Sequence, residues 1–184
     1  MQIANRTKSS DELILPIRAT ATEPMRFIFS PDKHVGFETV AGKHEPLHDQ
    51  RAIDAMLAFA SDFKPQVWIE GGDQLDLGCI SHWNQDSRLS TEGLRLQKDC
   101  DIYRTQTMQV IEDEIVPDEM VWMYGNHEDW LRQLLEKNPG LEGALNFESL
   151  LGLSARGWTT VDQGDMALLG KLTFVHGDRI SGGE

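Results

Sequence analysis

Short apolar runs and amphipathic segments alternate along most of this chain. Phe27, Ile28 and Phe29 form one apolar run, which is typical of a strand that is buried on both faces. On the same grounds we predict strands at 25–30, 67–69, 120–124 and 158–161. The apolar residues of 166–175 predict a hairpin that turns at Gly170.

The segments between these strands have helical spacing. One apolar set recurs at intervals of three and four residues: Ile53, Met56, Leu57 and Ala60. This spacing places the set on one face of a helix over 52–63. Similar apolar faces predict helices over 91–115, 129–137 and 141–151.

The first 24 residues lack a clear period. We interpret residues 1–24 as a polar extension, with some order expected around 13–17. From residue 25 onward, strands alternate with helices, which predicts an α/β fold of layered sheets and helices. We therefore expect one domain over 25–184.

Composition and charge narrow the function classes. The 184 residues are 40% hydrophobic and 8% aromatic, as in a globular protein, and no run of 18 apolar residues predicts a membrane span. The N-terminus lacks the apolar segment of a secretory signal, so we expect a cytoplasmic protein. The formal net charge of −13 argues against a general basic surface for nucleic acid. It does not exclude an enzyme that acts on phosphate esters.

Polar motifs follow four of the predicted strands. They are Asp32-x-His34, Gly72-Asp73-Gln74-Leu75-Asp76, Gly125-Asn126-His127-Glu128 and His176-Gly177-Asp178. In open α/β sheets, ligands bind outside the carboxyl ends of the strands, where all four motifs stand. Carboxylate, amide and imidazole donors without thiolate suit Mn²⁺, Fe, Zn²⁺, Ni²⁺ or Mg²⁺. A carboxylate such as Asp73 can bridge two ions about 3.5–4 Å apart, and an unligated histidine can protonate a leaving oxygen.

Each motif taken alone has a simpler interpretation. Asp-x-His commonly stands on a surface loop, Gly-Asp-x-x-Asp commonly forms a turn, and His176 can be a satisfied core histidine. Gly-Asn-His-Glu is more specific, because a turn needs neither histidine nor glutamate. The combination in one order favours a metal site. We interpret His44 and His48, which flank Pro46, as part of a solvated loop.

In this order the four motifs resemble the first four blocks of the calcineurin-like metallophosphoesterase family, over about residues 25–178. The resemblance implies an α/β sandwich in which helices pack on central mixed β-sheets. It implies two divalent ions, with Mn²⁺ expected first and Fe, Zn²⁺, Ni²⁺ or Mg²⁺ as alternatives. Asp32 and His34 would bind the first ion, Asp73 would bridge both, and Asn126 and His176 would bind the second.

The resemblance also implies roles for neighbouring residues. His127 would be the catalytic residue near the leaving group, as general acid or transition-state stabiliser. Asp76 would support the ligands and Glu128 would orient its loop. For substrate binding we name His82, which can stack on a base or an aryl group, and Arg179, which can contact phosphate; packing under a loop and ordinary surface exposure are their simpler interpretations.

One block of the family pattern has no counterpart in the chain. The family normally carries a later Gly-His-x-His, whereas no histidine follows His176. We therefore expect a domain that is incomplete at its C-terminus.

The predicted function is a phosphodiesterase that uses a water activated by two metals. Alternatives are a DNA or RNA nuclease, which the net charge does not support, and a phosphoprotein phosphatase, which usually has an arginine where Leu77 stands. A further alternative is a non-catalytic remnant of the fold.

Overall fold

Two larger β-sheets, a two-stranded sheet and several helices make up the fold in a computed structural model, which describes residues 12–17, 20, 23–81, 84 and 91–179. The strands are β1 (Glu12–Leu15), β2 (Phe27–Ser30), β3 (Phe37–Val40), β4 (Lys43–Pro46), β5 (Val67–Glu70), β6 (Glu119–Met123), β7 (Trp158–Val161), β8 (Met166–Leu169) and β9 (Leu172–Phe174). The α-helices are α1 (Gln50–Phe63), α2 (Leu96–Tyr103), α3 (Asn126–Lys137) and α4 (Phe147–Leu151). π-Helical turns at Arg104–Met108 and Ile111–Ile115 extend α2, and 3₁₀ turns stand at Pro139–Leu141 and Gly177–Arg179. The predicted α/β class is confirmed.

The central sheet is parallel and has the strand order β2-β5-β6-β7. Its two faces bury different residues, because side chains alternate along a strand. Val67 and Ile69 of β5 pack into the core between the two sheets, whereas Trp68 packs against the helices. β6 alternates in the same way, with Trp122 on the helix side. Because all four strands run parallel, their carboxyl ends meet at one edge of the sheet.

The second sheet has the order β1-β8-β9, with β1 parallel to β8 and β9 antiparallel to it. Leu13 and Leu15 of β1 are buried against the central sheet, whereas Ile14 between them is half exposed. The order expected around 13–17 thus takes the form of a strand that joins the core. It lies within the stretch that we interpreted as a polar extension.

The predicted strands are present, with two differences. β2 is an edge strand: Ile28 packs against the helix-side core and Phe27 and Phe29 against the core between the sheets, but all three are only partly buried. The hairpin β3–β4 was not predicted, and His44 lies on its exposed strand β4 rather than in a loop. The predicted hairpin is confirmed by the pairing of β8 with β9, and Gly170 between them has a φ of +65°.

The helices differ from prediction mainly at their ends. The helix predicted over 91–115 begins at Leu96 and continues in π-helical turns. The segment predicted as helix over 141–151 is helical only from Phe147, because Asn146 accepts a hydrogen bond from the Ser149 N–H and starts α4 there. In the part of the chain that the structure describes, no helix is both long enough and apolar enough to cross a membrane.

Candidate metal centre

The first two motifs lie side by side because the pairing of β2 and β5 continues past their ends. The Asp32 N–H donates to Gly72 O and the His34 N–H donates to Asp73 O, both at 3.0 Å. A further parallel bridge joins Val35 to Leu75. The Asp32-x-His34 loop and the Gly72-Asp73 loop therefore form one hydrogen-bonded unit at the edge of the sheet.

Three candidate ligands in these loops have left-handed backbone conformations. The φ values are +56° for Asp32, +47° for His34 and +53° for Asp73. Residues other than glycine rarely adopt this region, and each instance costs about 1–3 kcal/mol. Such residues cluster at functional sites, where the surrounding structure holds them in place. The pattern supports a role for these loops beyond simple connection.

Asp73 lies at the centre of the candidate ligands. Its carboxylate is 3.9 Å from His34 Nε2, 3.9 Å from His127 Nε2 and 3.5 Å from His176 Nε2. The two 3.9 Å separations exceed hydrogen-bond length. Ligands about 2.1 Å from a shared ion lie about 3–4 Å from each other, so the spacing fits coordination of a common cation. The structure thus brings these predicted residues together.

Two overlapping groups of ligand atoms can each hold an ion. Asp32, His34 and Asp73 form one group and His34, Asp76 and His127 form the other, and within each the atoms lie within 4.8 Å of one another. The first matches the predicted first position. The second was not predicted: Asp76 was given a supporting role, whereas its carboxylate is 3.8 Å from His34 Nδ1.

His176 follows β9 and faces Asp73 from the second sheet. Its Nδ1 is 3.0 Å from the carbonyl of Gly71, which can only accept, so Nδ1 carries a proton. The Nε2 of His176 lies 3.0 Å from the Oδ1 of Asn126. The hydrogen bond with Asp73 raises the pKa of His176 to about 9. Burial alone raises the pKa of Asp73, but the contacts with His176 and His127 outweigh burial and hold it below its ordinary value.

Glu128 joins the third motif to the second. Its buried carboxylate accepts N–H groups from Asp73 at 2.9 Å, Gln74 at 2.8 Å and Gly125 at 2.9 Å. Burial raises the pKa of Glu128, the charge of Asp73 adds to this, and the backbone donors oppose both. The predicted orienting role of Glu128 fits these contacts. The helix predicted from residue 129 begins instead at Asn126, so this motif lies in the first turn of α3 and not in a loop.

His127 is held on several sides. Its backbone N–H donates to Asp73 Oδ1 at 2.9 Å and its Nδ1 donates to the Asp76 carbonyl at 2.6 Å. The ring of Trp130 stacks on the imidazole with 3.9 Å between centroids, and the His34 ring meets it edge-on at 4.5 Å. These contacts leave Nε2 as the ring nitrogen that faces the cluster.

Gly125 is required by the close approach of Asp73, and its replacement by alanine tests the geometry. A Cβ at this position would lie 2.2 Å from Asp73 Oδ1 and 2.5 Å from Asp73 N. We expect Gly125→Ala to displace Asp73, to lower the free energy of unfolding by about 1–3 kcal/mol and to weaken Mn²⁺ binding. Urea unfolding and calorimetric titration with Mn²⁺ measure both effects.

The matched control is Gly140→Ala, because a Cβ at Gly140 meets nothing within 4 Å. This variant should unfold and bind Mn²⁺ like the parent chain. Equal behaviour of the two alanine variants would contradict the packing described for Gly125.

A cavity of about 490 Å³ begins beside the centre, at the carboxyl ends of β6 and β7. Tyr124, Leu131 and Phe147 supply apolar walls and Asp162 supplies a carboxylate. Its volume falls in the range of roughly 300–1,000 Å³ that is usual for ligand pockets. The cavity was not predicted, since its walls come from separate segments of the chain.

The side chains of the two predicted substrate-binding residues, His82 and Arg179, lie outside the described residues. Leu77, at the position where a phosphoprotein phosphatase usually has an arginine, is fully buried.

No protein-family model, curated protein or solved structure matches this chain.

Proposed function

We propose that the chain is a metal-dependent phosphoesterase of the calcineurin-like type, with the corresponding sandwich fold, and that it hydrolyses phosphodiesters. The observation that carries the proposal is the convergence of three imidazoles on the Asp73 carboxylate, each from a different segment of the fold. A buried carboxylate that faces His34, His127 and His176 is expensive as a purely structural device. It is well suited to hold cations.

The donor set fits two divalent ions. Asp32, His34 and Asp73 would hold the first, and Asp73, Asn126 and His176 would hold the second. Oxygen and imidazole donors without thiolate suit Mn²⁺, Fe, Zn²⁺, Ni²⁺ or Mg²⁺, and the family resemblance places Mn²⁺ first among them. When bound, such ions would supply Lewis-acid activation of a water molecule and charge for the phosphoryl oxygens. The chain's contribution is to fix the donors before the substrate arrives, through the paired loops and the Glu128 carboxylate.

His127 is proposed to donate a proton to the leaving oxygen. Its Nδ1–H is engaged by the Asp76 carbonyl, so the protonated ring has its Nε2–H available on the side of Asp73. Stacking on Trp130 limits rotation of the ring and keeps Nε2 in this direction. A positioned acid of this kind contributes about 10²–10⁴-fold to the rate.

Charge favours a diester over the alternatives. Lys33, between Asp32 and His34, is buried against Glu70 and does not face a phosphate group. A diester carries one negative charge at phosphorus and needs less compensation than a dianionic monoester. Buried Leu77 supplies no arginine for a phosphoprotein, and a net charge of −13 does not attract nucleic acid.

The test is Mn²⁺-dependent hydrolysis of a bis-aryl phosphodiester beside the matching monoester, single-stranded DNA and a phosphopeptide. We expect turnover of the diester that is lost on chelation and lowered about 10²-fold or more by His127→Ala. His44→Ala is the control, since His44 is exposed on β4 and its ring contacts the Glu92 carbonyl. About two bound ions without turnover of any substrate would favour a non-catalytic metal-binding domain, and no bound ions would reject the metal centre.

A further inference from the structure

Beneath the candidate ligands lies a buried ion pair that the proposed chemistry does not use. Lys33 stands between Asp32 and His34, yet only 4% of its side chain is exposed, and its partner Glu70 is fully buried. The Lys33 ammonium donates to one carboxylate oxygen of Glu70. It therefore points into the protein, between two residues that take part in the cluster.

Both carboxylate oxygens of Glu70, at the end of β5, accept hydrogen bonds. Its other carboxylate oxygen accepts from Trp68 Nε1 at 3.0 Å and from the Tyr103 hydroxyl at 2.8 Å. These donors come from the central sheet and from α2, which are both fixed by the core. Burial lowers the pKa of Lys33 and the charge of Glu70 opposes this change. Because Glu70 balances the ammonium, Lys33 adds little net positive charge beneath a cation site.

The ammonium also reaches the loop that carries Asp73. It donates to Gln74 Oε1 at 2.7 Å and lies 3.3 Å from the Ser30 carbonyl. The Gln74 amide in turn donates to Ser30 O and Gly72 O, both at 2.9 Å. One buried network thus holds the start of the Asp32-x-His34 loop and both sides of Asp73.

We propose that the Lys33–Glu70 pair is a positioning device that sets the separation of the Asp32-x-His34 and Asp73 loops and thereby the affinity of the centre for its ions. This inference rests on the proposed metal centre. Stability alone does not account for the pair, because replacement of a buried ion pair by uncharged residues is often neutral or stabilising. We infer instead that the buried pair links the two loops from the protein interior and holds their ligands at a fixed separation.

The decisive variant removes both charges together. Lys33→Met with Glu70→Gln leaves no unpaired buried charge, so we expect it to fold and to unfold in urea near the midpoint of the parent chain. We expect its calorimetric Kd for Mn²⁺ to rise by about 10–100-fold, as for other residues that support metal ligands. The single variants each leave one buried charge unpaired and should be destabilised.

The control is the exposed pair Arg51–Asp49 at 2.9 Å, replaced as Arg51→Met with Asp49→Asn. Asparagine keeps the N-cap acceptor for the N–H of residue 51, so this variant should unfold in urea near the midpoint of the parent chain and leave Mn²⁺ affinity unchanged. A folded Lys33/Glu70 double variant with parental affinity would overturn the proposal. If that variant does not fold, Gln74→Met is the second test. It keeps the Lys33–Glu70 ion pair but removes the hydrogen bond to the Asp73 loop. A Gln74→Met variant with the Mn²⁺ affinity of the parent chain would also overturn the proposal. A parent chain that binds no Mn²⁺ would reject the metal centre itself, and so is distinguishable from failure of the positioning role.

Discussion

Asp73→Asn is expected to abolish metal-dependent hydrolysis, with kcat/KM lower by about 10³-fold or more, or about 4 kcal/mol of transition-state stabilisation. Asp73 is buried and faces three imidazoles, so its negative charge is the main attraction for the proposed cations. Asparagine keeps an oxygen for the His127 N–H and has nearly the same shape, so the fold should survive.

Turnover of the diester at saturating Mn²⁺ and ion content by equilibrium dialysis measure the effect. Asp113→Asn is the control, because Asp113 is exposed on the π-helical turn that ends the α2 segment. Turnover of Asp73→Asn within a few fold of the parent chain would exclude a bridging role for Asp73.

The same substitution should change how the metal-free protein responds to pH. Asp73 is the main cause of the raised pKa of His176, about 9 against an ordinary value of 6.5. The folded protein therefore binds this proton more tightly than the unfolded chain. The resulting stability is complete below about pH 6.5 and is lost as the pH rises to about 9, by up to about 3 kcal/mol. Urea unfolding with chelator present should show this loss in the parent chain, and Asp73→Asn should flatten the curve.

Local patterns were sufficient to predict most of the strands and the polar residues that meet at their carboxyl ends. The apolar runs of β5 and β6 are continuous because both faces of the central sheet are covered, and this leaves a clear signal in a few residues. The carboxyl ends of parallel strands share one edge, so polar motifs after different strands could be expected to meet. Asp32, Asp73 and His176 do so, although they are far apart in sequence.

Features that depend on distant partners were not predictable. β1 is only four residues long and pairs with β8, more than 150 residues later, so the short apolar run of Leu13, Ile14 and Leu15 carried too little signal. Lys33 would ordinarily be interpreted as a surface residue, and only the fold places Glu70 beneath it. Similarly, α3 begins before residue 129, in a turn where the Glu128 carboxylate accepts the N–H of Asp73 from a distant loop.

Glu128→Gln tests how much the hydrogen bonds between Glu128 and the Asp73 loop contribute to the stability of the fold. The carboxylate accepts from the N–H groups of Asp73, Gln74 and Gly125, and Leu75 N is 3.3 Å away. A glutamine presents an N–H to some of these donors and removes the charge that strengthens the other bonds.

Because hydrogen bonds to a charged acceptor contribute about 1.5–3 kcal/mol each and at least two are lost, we expect the free energy of unfolding to fall by about 3 kcal/mol or more. The loss should exceed that of Gly125→Ala, since Glu128 joins the second and third motifs where Gly125 only makes room for them. Urea unfolding of the metal-free protein isolates this effect from ion binding, and Glu136→Gln, exposed on the same helix, is the matched control. A Glu128→Gln variant as stable as its Glu136 counterpart would mean that the backbone of the Asp73 loop holds its shape without the carboxylate. The source of the preformed ligand geometry would then have to lie in the pairing of the β2 and β5 loops alone.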